Sequence, residues 1–414
     1  MMGHELASHP LLGIVADDLA GAADTAAQFA SPARPAVILV GPQPASVPPD
    51  TQRAAAVAID ADCRHDKPAE CARRVGSAFA QVSETGARLP YLKLDSTLRG
   101  NVGASLRAAV EAVAAQAAVL APAFPERGRT VAGGVLLVDG APVAETEIAS
   151  DGAAPVTVSE VSAIVRRQWN CRCAVLSPPE CAGAAELADD VAAVLDGGVE
   201  LVVMDASSPD DLRTIAGAVA RIGRHVLPAG SAGLARAFAD TAGVRRLTPP
   251  PPRAGSDGPS SVLVLIGSRT AAAAAQIEAV RLEGIVCLTA DSQEAALRAS
   301  SILSTGRAVA ITPGAAGHES VARVGAQSLA HLDRKPGLVL SGGATARCLC
   351  DQAGITAFRV GGELQPGVAA GHALLTAGEA VAAVVKGGAA GDAAAVVEAV
   401  RWIRGESIQE EQSQ

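Results

Sequence analysis

The chain has 414 residues, 49% of them hydrophobic and 19% charged, which suits two domains, or at most three, each with its own core. A formal net charge of −9 excludes the basic footprint that nucleic-acid phosphates require, so the partner reads as a small molecule met by a few placed cations. Aromatics are only 2%, so the cores are Ala, Val and Leu packings.

The N-terminal half alternates short apolar runs with Ala-rich amphipathic stretches. Strands are predicted at Leu12–Ala16, Ala36–Val40, Ala54–Ile59, Tyr91–Leu94, Ala117–Ala121, Ala174–Leu176, Leu201–Met204 and His225–Leu227. Helices are predicted at Leu19–Ala30, Ala69–Glu84, Val102–Ala115, Glu186–Leu195, Asp210–Arg221 and Ala232–Ala239. Such alternation implies crossover connections and a mostly parallel sheet. The run Leu11–Ala16 is too short for a secretion signal and is ended by Asp17 and Asp18. The Ala-rich stretch Gly103–Phe124 carries Arg107, Glu111 and Gln116, so no membrane segment is read there and cytoplasm is the expected location.

Four consecutive prolines and a Gly/Ser/Asp tail at Thr248–Ser260 mark the domain boundary. The division is 1–247, a linker at 248–260, and 261–414. Alternation resumes with strands at Val262–Ile266, Ile285–Leu288, Ala308–Thr312, Leu338–Leu340 and Val381–Val385. Helices fall at Thr270–Leu282, Ser292–Leu303, Gly317–Leu329, Ala344–Gln352 and Asp392–Ile403. The fold class is α/β in two domains, each a mostly parallel sheet flanked by helices. The eight Cys read as reduced thiols. The C-x-C pairs Cys171/Cys173 and Cys348/Cys350 lack a neighbouring His, so no metal site is assigned to them.

Ligands of parallel α/β sheets bind beyond the carboxyl ends of strands, which directs attention to polar loops there. Asp17 and Asp18 follow the first strand directly, and a helix N-cap explains one carboxylate and not both. The second suits a general base for a hydroxyl, or a ligand to substrate or Mg²⁺. Lys93-Leu-Asp-Ser-Thr-Leu-Arg-Gly-Asn101 packs two cations, a carboxylate, two hydroxyls and an amide into nine residues. Lys93 or Arg99 can take the carboxylate of a polyhydroxy acid, and Asp95, Ser96, Thr97 and Asn101 its hydroxyls. Arg64, in Asp60–Arg64, is equally readable as a surface residue. Arg127 and Arg129 lie in a rigid cationic loop, Ala121–Thr130, with Arg129 the better clamp.

The C-terminal half has three glycine turns after strands: Gly267-Ser268, Ser341-Gly342-Gly343-Ala344-Thr345, and Lys386-Gly387-Gly388-Ala389-Ala390-Gly391. Backbone amides in such turns can cradle a phosphate, so Ser268, Gly342, Gly343, Ala344, Thr345, Lys386, Gly388 and Gly391 are the candidate nucleotide contacts. Neither G-x-x-x-x-G-K-[ST] nor a post-strand G-x-G-x-x-G is present, which argues against a P-loop NTPase and a dinucleotide enzyme.

These motifs, with Ala16–Thr25, Lys93–Asn101, Gly133-Gly134 and Gly230–Leu234, resemble the four-carbon acid sugar kinase family in order from about Leu12 to Ile403. The resemblance implies a sugar-acid-binding domain, an ATP-binding domain and an active site in the cleft between them. It implies ATP-dependent phosphorylation, with Mg²⁺, of the terminal hydroxyl of D-threonate, D-erythronate or 3-oxo-tetronate. Carried over by motif, Asp18, Arg64, Lys93, Asp95 and Ser96 would meet the acid; Ser268, Gly342 to Thr345 and Gly388 would meet ATP. Two positions depart from the family pattern. Ala20 stands where Thr is usual, which removes a hydroxyl, and Ala390 stands where an aromatic is usual, which thins the cover over the nucleotide. The choice of base between Asp17 and Asp18 leans to Asp18. The alternatives are a non-catalytic sugar-acid sensor and a sugar-acid oxidoreductase, and a homo-oligomer stays open.

Overall fold

The computed structural model describes residues 10–41, 47–49, 51–150, 154–178, 183–244, 261–292, 294–315 and 317–406. The Pro-rich boundary expected at 248–260 lies outside the described residues.

In chain order the first elements are β1 (Leu12–Ala16), α1 (Leu19–Ala27), β2 (Ala36–Val40), β3 (Ala56–Asp60), α2 (Pro68–Glu84) and β4 (Leu89–Lys93). There follow α3 (Val102–Val113), β5 (Ala117–Ala121), β6 (Arg129–Ala132), β7 (Val135–Val138), β8 (Ala141–Pro142) and α4 (Val161–Arg166). Then come β9 (Cys173–Leu176), α5 (Ala184–Asp196), β10 (Leu201–Met204), α6 (Pro209–Ile222), β11 (Val226–Gly230) and α7 (Ala232–Thr241).

The chain divides into two compact units, and Ala30–Val40 belongs to the second rather than the first. This departs from the continuous first domain expected from sequence. The first unit orders its strands β3-β1-β4-β11-β5-β10-β9, all parallel. β1 (LGIVA) and β5 (AAVLA) are buried along their whole length, the signature of strands covered by helices on both faces. The chain runs from β1 to β3 on one side and returns to β4 on the other. The strand order therefore reverses at β1/β4, where open α/β sheets hold their ligands. A small antiparallel sheet, β6-β7-β8, was not expected from sequence; it begins at Arg129. Cys171 and Cys173 bring their thiols to 3.5 Å on the approach to β9.

The second unit continues with β12 (Val262–Ile266), α8 (Ala271–Leu282), β13 (Val286–Thr289), α9 (Ala295–Ser304), β14 (Ala308–Thr312) and α10 (His318–Ala330). It ends with β15 (Gly337–Ser341), α11 (Gly343–Ala353), β16 (Ile355–Gln365), β17 (Val368–Leu375), β18 (Ala380–Lys386) and α12 (Ala395–Arg404). Strands run in the order β13-β14-β12-β15-β18-β17-β16-β2. The first five are parallel, and β17, β16 and β2 extend them by antiparallel pairing. Here too the order reverses, at β12/β15. The apolar face of α12, including Val396, Val400, Trp402 and Ile403, closes the core over β12, β15 and β18. No helix among the described residues is long and apolar enough to cross a membrane.

Candidate active site

In the first unit, the loops after β1, β3 and β4 lie side by side, since Ala16 is in register with both Asp60 and Lys93. Asp18 caps α1: its Oδ1 accepts from the Gly21 amide at 2.7 Å. The loop after β3 hangs on Asp17, whose carbonyl accepts from the amides of Cys63 and Arg64. That brings Arg64 back over both acids. Its Nε and NH2 donate to the two oxygens of Asp17, each at 2.8 Å, and its NH1 donates to Asp18 Oδ2 at 2.8 Å. Burial opposes the charge on Arg64, but Asp17, Asp18 and Asp95 outweigh it and hold the guanidinium firmly protonated. Arg64 is thus drawn in against these acids rather than left on the surface, its side chain only 11% exposed.

Lys93 ends β4 and is 5% exposed. Its only hydrogen bond among the described residues is to the Leu94 carbonyl, at 2.8 Å. An ammonium carries three donors, so two have no protein acceptor among the described residues. A methyl placed on Gly21 would stand 2.7 Å from Asp18 Oδ1 and 3.1 Å from Lys93 Nζ, so the carboxylate and the ammonium both face Gly21 at the start of α1 without pairing. Asp95 accepts from Arg99 Nε at 2.8 Å and NH2 at 2.9 Å, and also from the Thr97 hydroxyl. Burial pushes its carboxyl up, but Arg99, Arg64 and Thr97 outweigh that and hold it well below the usual carboxylate range. Thr97 is buried, and Ser96 is half-buried beside it.

Two of the residues expected on the substrate have other settings. Asn101 Nδ2 donates to the carbonyls of Cys63 at 3.1 Å and Asp66 at 2.8 Å, so it braces the loop that carries Arg64. Gln168, which sequence reasoning missed, donates to Asn101 Oδ1 and accepts from the amides of Gly103 and Ala104. It supplies the start of α3 with the acceptor that Asn101 does not. Arg129 donates to the Arg127 carbonyl. Arg127 lies over the Phe124 ring, 5.3 Å from its centroid, and reaches Asp24 on α1 at 3.4 Å.

In the second unit the three glycine turns follow β12, β15 and β18, neighbours in the sheet, with Ile266, Ser341 and Lys386 in register. They pack closely enough to exclude larger residues. A Cβ on Gly267 would stand 1.9 Å from Thr345 Oγ1, and one on Gly388 would stand 2.4 Å from Ser268 Oγ. Thr270 caps α8 through the Ala273 amide, with Ser268 Oγ 3.2 Å from its hydroxyl. Gly342 adopts a left-handed φ of 107° and offers no side chain to cap α11. Among the described residues, the amides of Gly343, Ala344 and Thr345 have no acceptor, as a helix N-terminus leaves them. Lys386, expected on the nucleotide, is fully buried, and its ammonium donates to Gln276, Ser341 and the Gly387 carbonyl. Gly391, at a φ of 72°, closes the last turn, and Ala390 is buried.

Fold and sites together define an α/β protein with a charged, hydroxyl-bearing site at the strand ends of one unit and a glycine-lined site at the strand ends of the other. Comparison with known proteins gives two successive family matches. The family described as a sugar-binding N-terminal domain matches residues 12–238, and that described as a nucleotide-binding C-terminal domain matches residues 284–396. D-threonate kinase of Cupriavidus necator is 34% identical over 378 residues, covering 86% of this chain and 88% of that protein. The 3-oxo-tetronate kinase of the same organism is 28% identical over 405 residues, covering 89% and 92%. A solved structure from Salmonella typhimurium LT2, described as a putative tRNA synthase, shares the fold with a TM-score of 0.77 at 23% identity, covering 94% of this chain and 98% of that one. The chain belongs to the four-carbon acid sugar kinase family.

Proposed function

We propose that the protein transfers the γ-phosphoryl group of ATP to the terminal hydroxyl of a four-carbon sugar acid such as D-threonate, D-erythronate or 3-oxo-tetronate. The observation that carries this reading is Lys93, a nearly buried ammonium with a single protein acceptor among the described residues, which shares the Gly21 end of α1 with Asp18. A buried cation left short of partners calls for an anion, and the carboxylate of a sugar acid supplies one. Asp95, Ser96, Thr97 and Arg99 stand on the same loop to take hydroxyls.

Asp18 is the proposed base. Asp17 is fully engaged by the fork of Arg64, with its side chain 5% exposed, whereas Asp18 is 18% exposed. Asp18 would accept the proton of the 4-hydroxyl as oxygen attacks phosphorus, while Arg64 holds the carboxylate in place. The amides of Gly343 to Thr345, with Ser268 and Gly388 beside them, would receive the nucleotide's phosphates. A divalent ion, Mg²⁺, is proposed as companion to those phosphates; it supplies charge neutralisation, and no residue of this chain is assigned as its ligand. The supply of ATP places this activity in the cytoplasm.

The test is a coupled ADP-release assay over a panel of C4 sugar acids, with Asp18→Asn alongside. Asparagine also caps helices, so the start of α1 is preserved. Acid-dependent ADP release is expected, with turnover falling about 10²–10⁴-fold in the variant. Binding of a C4 acid without ADP release would favour a sensor, and a nicotinamide absorbance change would favour an oxidoreductase.

A further inference from the structure

We propose that Gln276 is the positioning residue of the nucleotide site, acting through Lys386 to hold the turn Gly387–Asp392 in a preformed shape. The proposal rests on the reading of the glycine turns as the ATP site and adds the device that sets their geometry.

Gln276 lies on the inner face of α8, fully buried between Ala273 and Val280, which are apolar. A primary amide in such surroundings is unfavourable unless every donor and acceptor is met. Here they are met by the turn. Nε2 donates to the Ala390 carbonyl at 3.0 Å and to the Asp392 carbonyl at 2.9 Å. Oε1 accepts from Lys386 Nζ at 2.9 Å. The ammonium of Lys386 also donates to Ser341 Oγ at 3.0 Å and to the Gly387 carbonyl at 2.8 Å, with the Gly388 carbonyl at 3.4 Å. One glutamine and one lysine therefore fix both ends of the turn, Gly387 at its start and Ala390 to Asp392 at its finish.

The same pair ties the turn to its two neighbours. Ser341 immediately precedes Gly342, and the Gly342 amide donates to the Lys386 carbonyl at 2.9 Å. The Ser341 carbonyl accepts from the Gly267 amide at 3.2 Å. Ser268, next in sequence, lies against Gly388. A leucine at 276 would pack α8 on the core equally well, so the amide answers a need of the turn rather than of the helix. Its carbonyl-directed donors keep Ala390 to Asp392 turned inward, which leaves the opposite side of the turn to face a ligand. Lys386 acts in this arrangement through the backbone and not as a phosphate contact.

The experiment uses full-length Gln276→Met and Gln276→Glu. Methionine keeps the length and removes every hydrogen bond of the amide, while leaving Lys386 on Ser341 and Gly387; glutamate keeps the acceptor for Lys386 and removes the donors to Ala390 and Asp392. For both, the KM for ATP and the Kd for ADP are expected to rise about ten-fold or more, because buried carbonyls lose their donors. The KM for the sugar acid and kcat at saturating ATP should stay within about three-fold of the wild type. A purely structural role would lower kcat through loss of active protein and leave both KM values alone, and that result overturns the proposal. If neither variant unfolds cooperatively, amide exchange on the wild-type chain decides. Amides of 387–392 protected before nucleotide is added support a preformed turn, and exchange at the free-peptide rate until nucleotide is added overturns it. Wild-type protein that binds neither ATP nor ADP overturns the nucleotide reading itself, a result distinct from unchanged KM values in the variants.

Discussion

At the end of β1 a single guanidinium holds two adjacent carboxylates, taking both oxygens of Asp17 and one of Asp18, and its own side chain is nearly buried. Lysine could offer the charge but not the planar fork, so Arg64→Lys should lower kcat/KM for the sugar acid about 10–100-fold, the worth of one charge-assisted hydrogen bond. Arg64→Met leaves two acids close together without their shared cation. Urea unfolding should show a loss of about 3–5 kcal/mol, the usual result of removing one member of a buried ion pair. Asp95 adds a pH dependence. Its folded-state carboxyl titrates below the unfolded one, so its contribution to stability is fully present above about pH 4, the ordinary carboxylate value. That contribution is lost as the pH falls towards the depressed folded value. Unfolding midpoints measured from pH 6 to pH 2 (roughly the range that brackets an ordinary carboxylate) should therefore fall more steeply in the wild type than in Asp95→Asn. Equal slopes would show that Arg99 and Arg64 do not stabilise the ionised form.

Among the elements, the nucleotide side depends on how closely β12, β15 and β18 let their following turns approach. Gly267→Ala places a methyl 1.9 Å from Thr345 Oγ1, and Thr345 is buried in the first turn of α11, so the helix must move rather than the side chain. ADP affinity should fall at least about ten-fold, with a stability loss of about 1–3 kcal/mol and an unchanged KM for the sugar acid. Undiminished ADP binding in a titration would separate α11 from the nucleotide. These turns were legible in the sequence because glycine after a β-branched run is a local signal. The long hairpin of β16 and β17 was not. Its pairing carries register shifts at Ile355/Ala357, Val360/Gly362 and Glu363/Gln365, which break the alternation of apolar and polar residues that identifies a strand. The pairing of Arg64 with Asp17 and Asp18 was illegible for a related reason: those acids are 47 and 46 residues away, and no local pattern records that distance. Gln276 and Gln168 gave no signal at all, since a glutamine in or after a helix reads as solvated surface until the fold encloses it. Conversely, the Lys93–Asn101 loop announced itself by composition, although Asn101 proved to brace the Arg64 loop.

At the scale of the whole molecule, the second unit is not a contiguous stretch of chain. β2 is separated from β16 by more than three hundred residues in sequence, yet pairs with it antiparallel, Ala36 against Val360 and Leu39 against Ala357. Its five residues, AVILV, are all buried. Fully burying each of Val37, Ile38, Leu39 and Val40 is worth about 1.5–3 kcal/mol, an upper bound of roughly 6–12 kcal/mol for the strand. That is comparable to the entire stability of an ordinary domain, about 5–15 kcal/mol. Cutting the chain at the Pro-rich segment, the boundary the sequence suggests, would therefore yield a C-terminal piece short of one strand of its own core. A fragment spanning 261–414 should self-associate through the bared edge of β16, since an open apolar strand edge is a template for pairing. It should also unfold below the whole chain's midpoint. Supplying residues 30–41 as a peptide, or fusing them ahead of residue 261 through a flexible linker, should restore a monomer and raise the midpoint. Size-exclusion chromatography with thermal unfolding reads both effects. A fragment that runs as a monomer with an undiminished midpoint and binds ADP would show that β2 contributes little to the unit it joins.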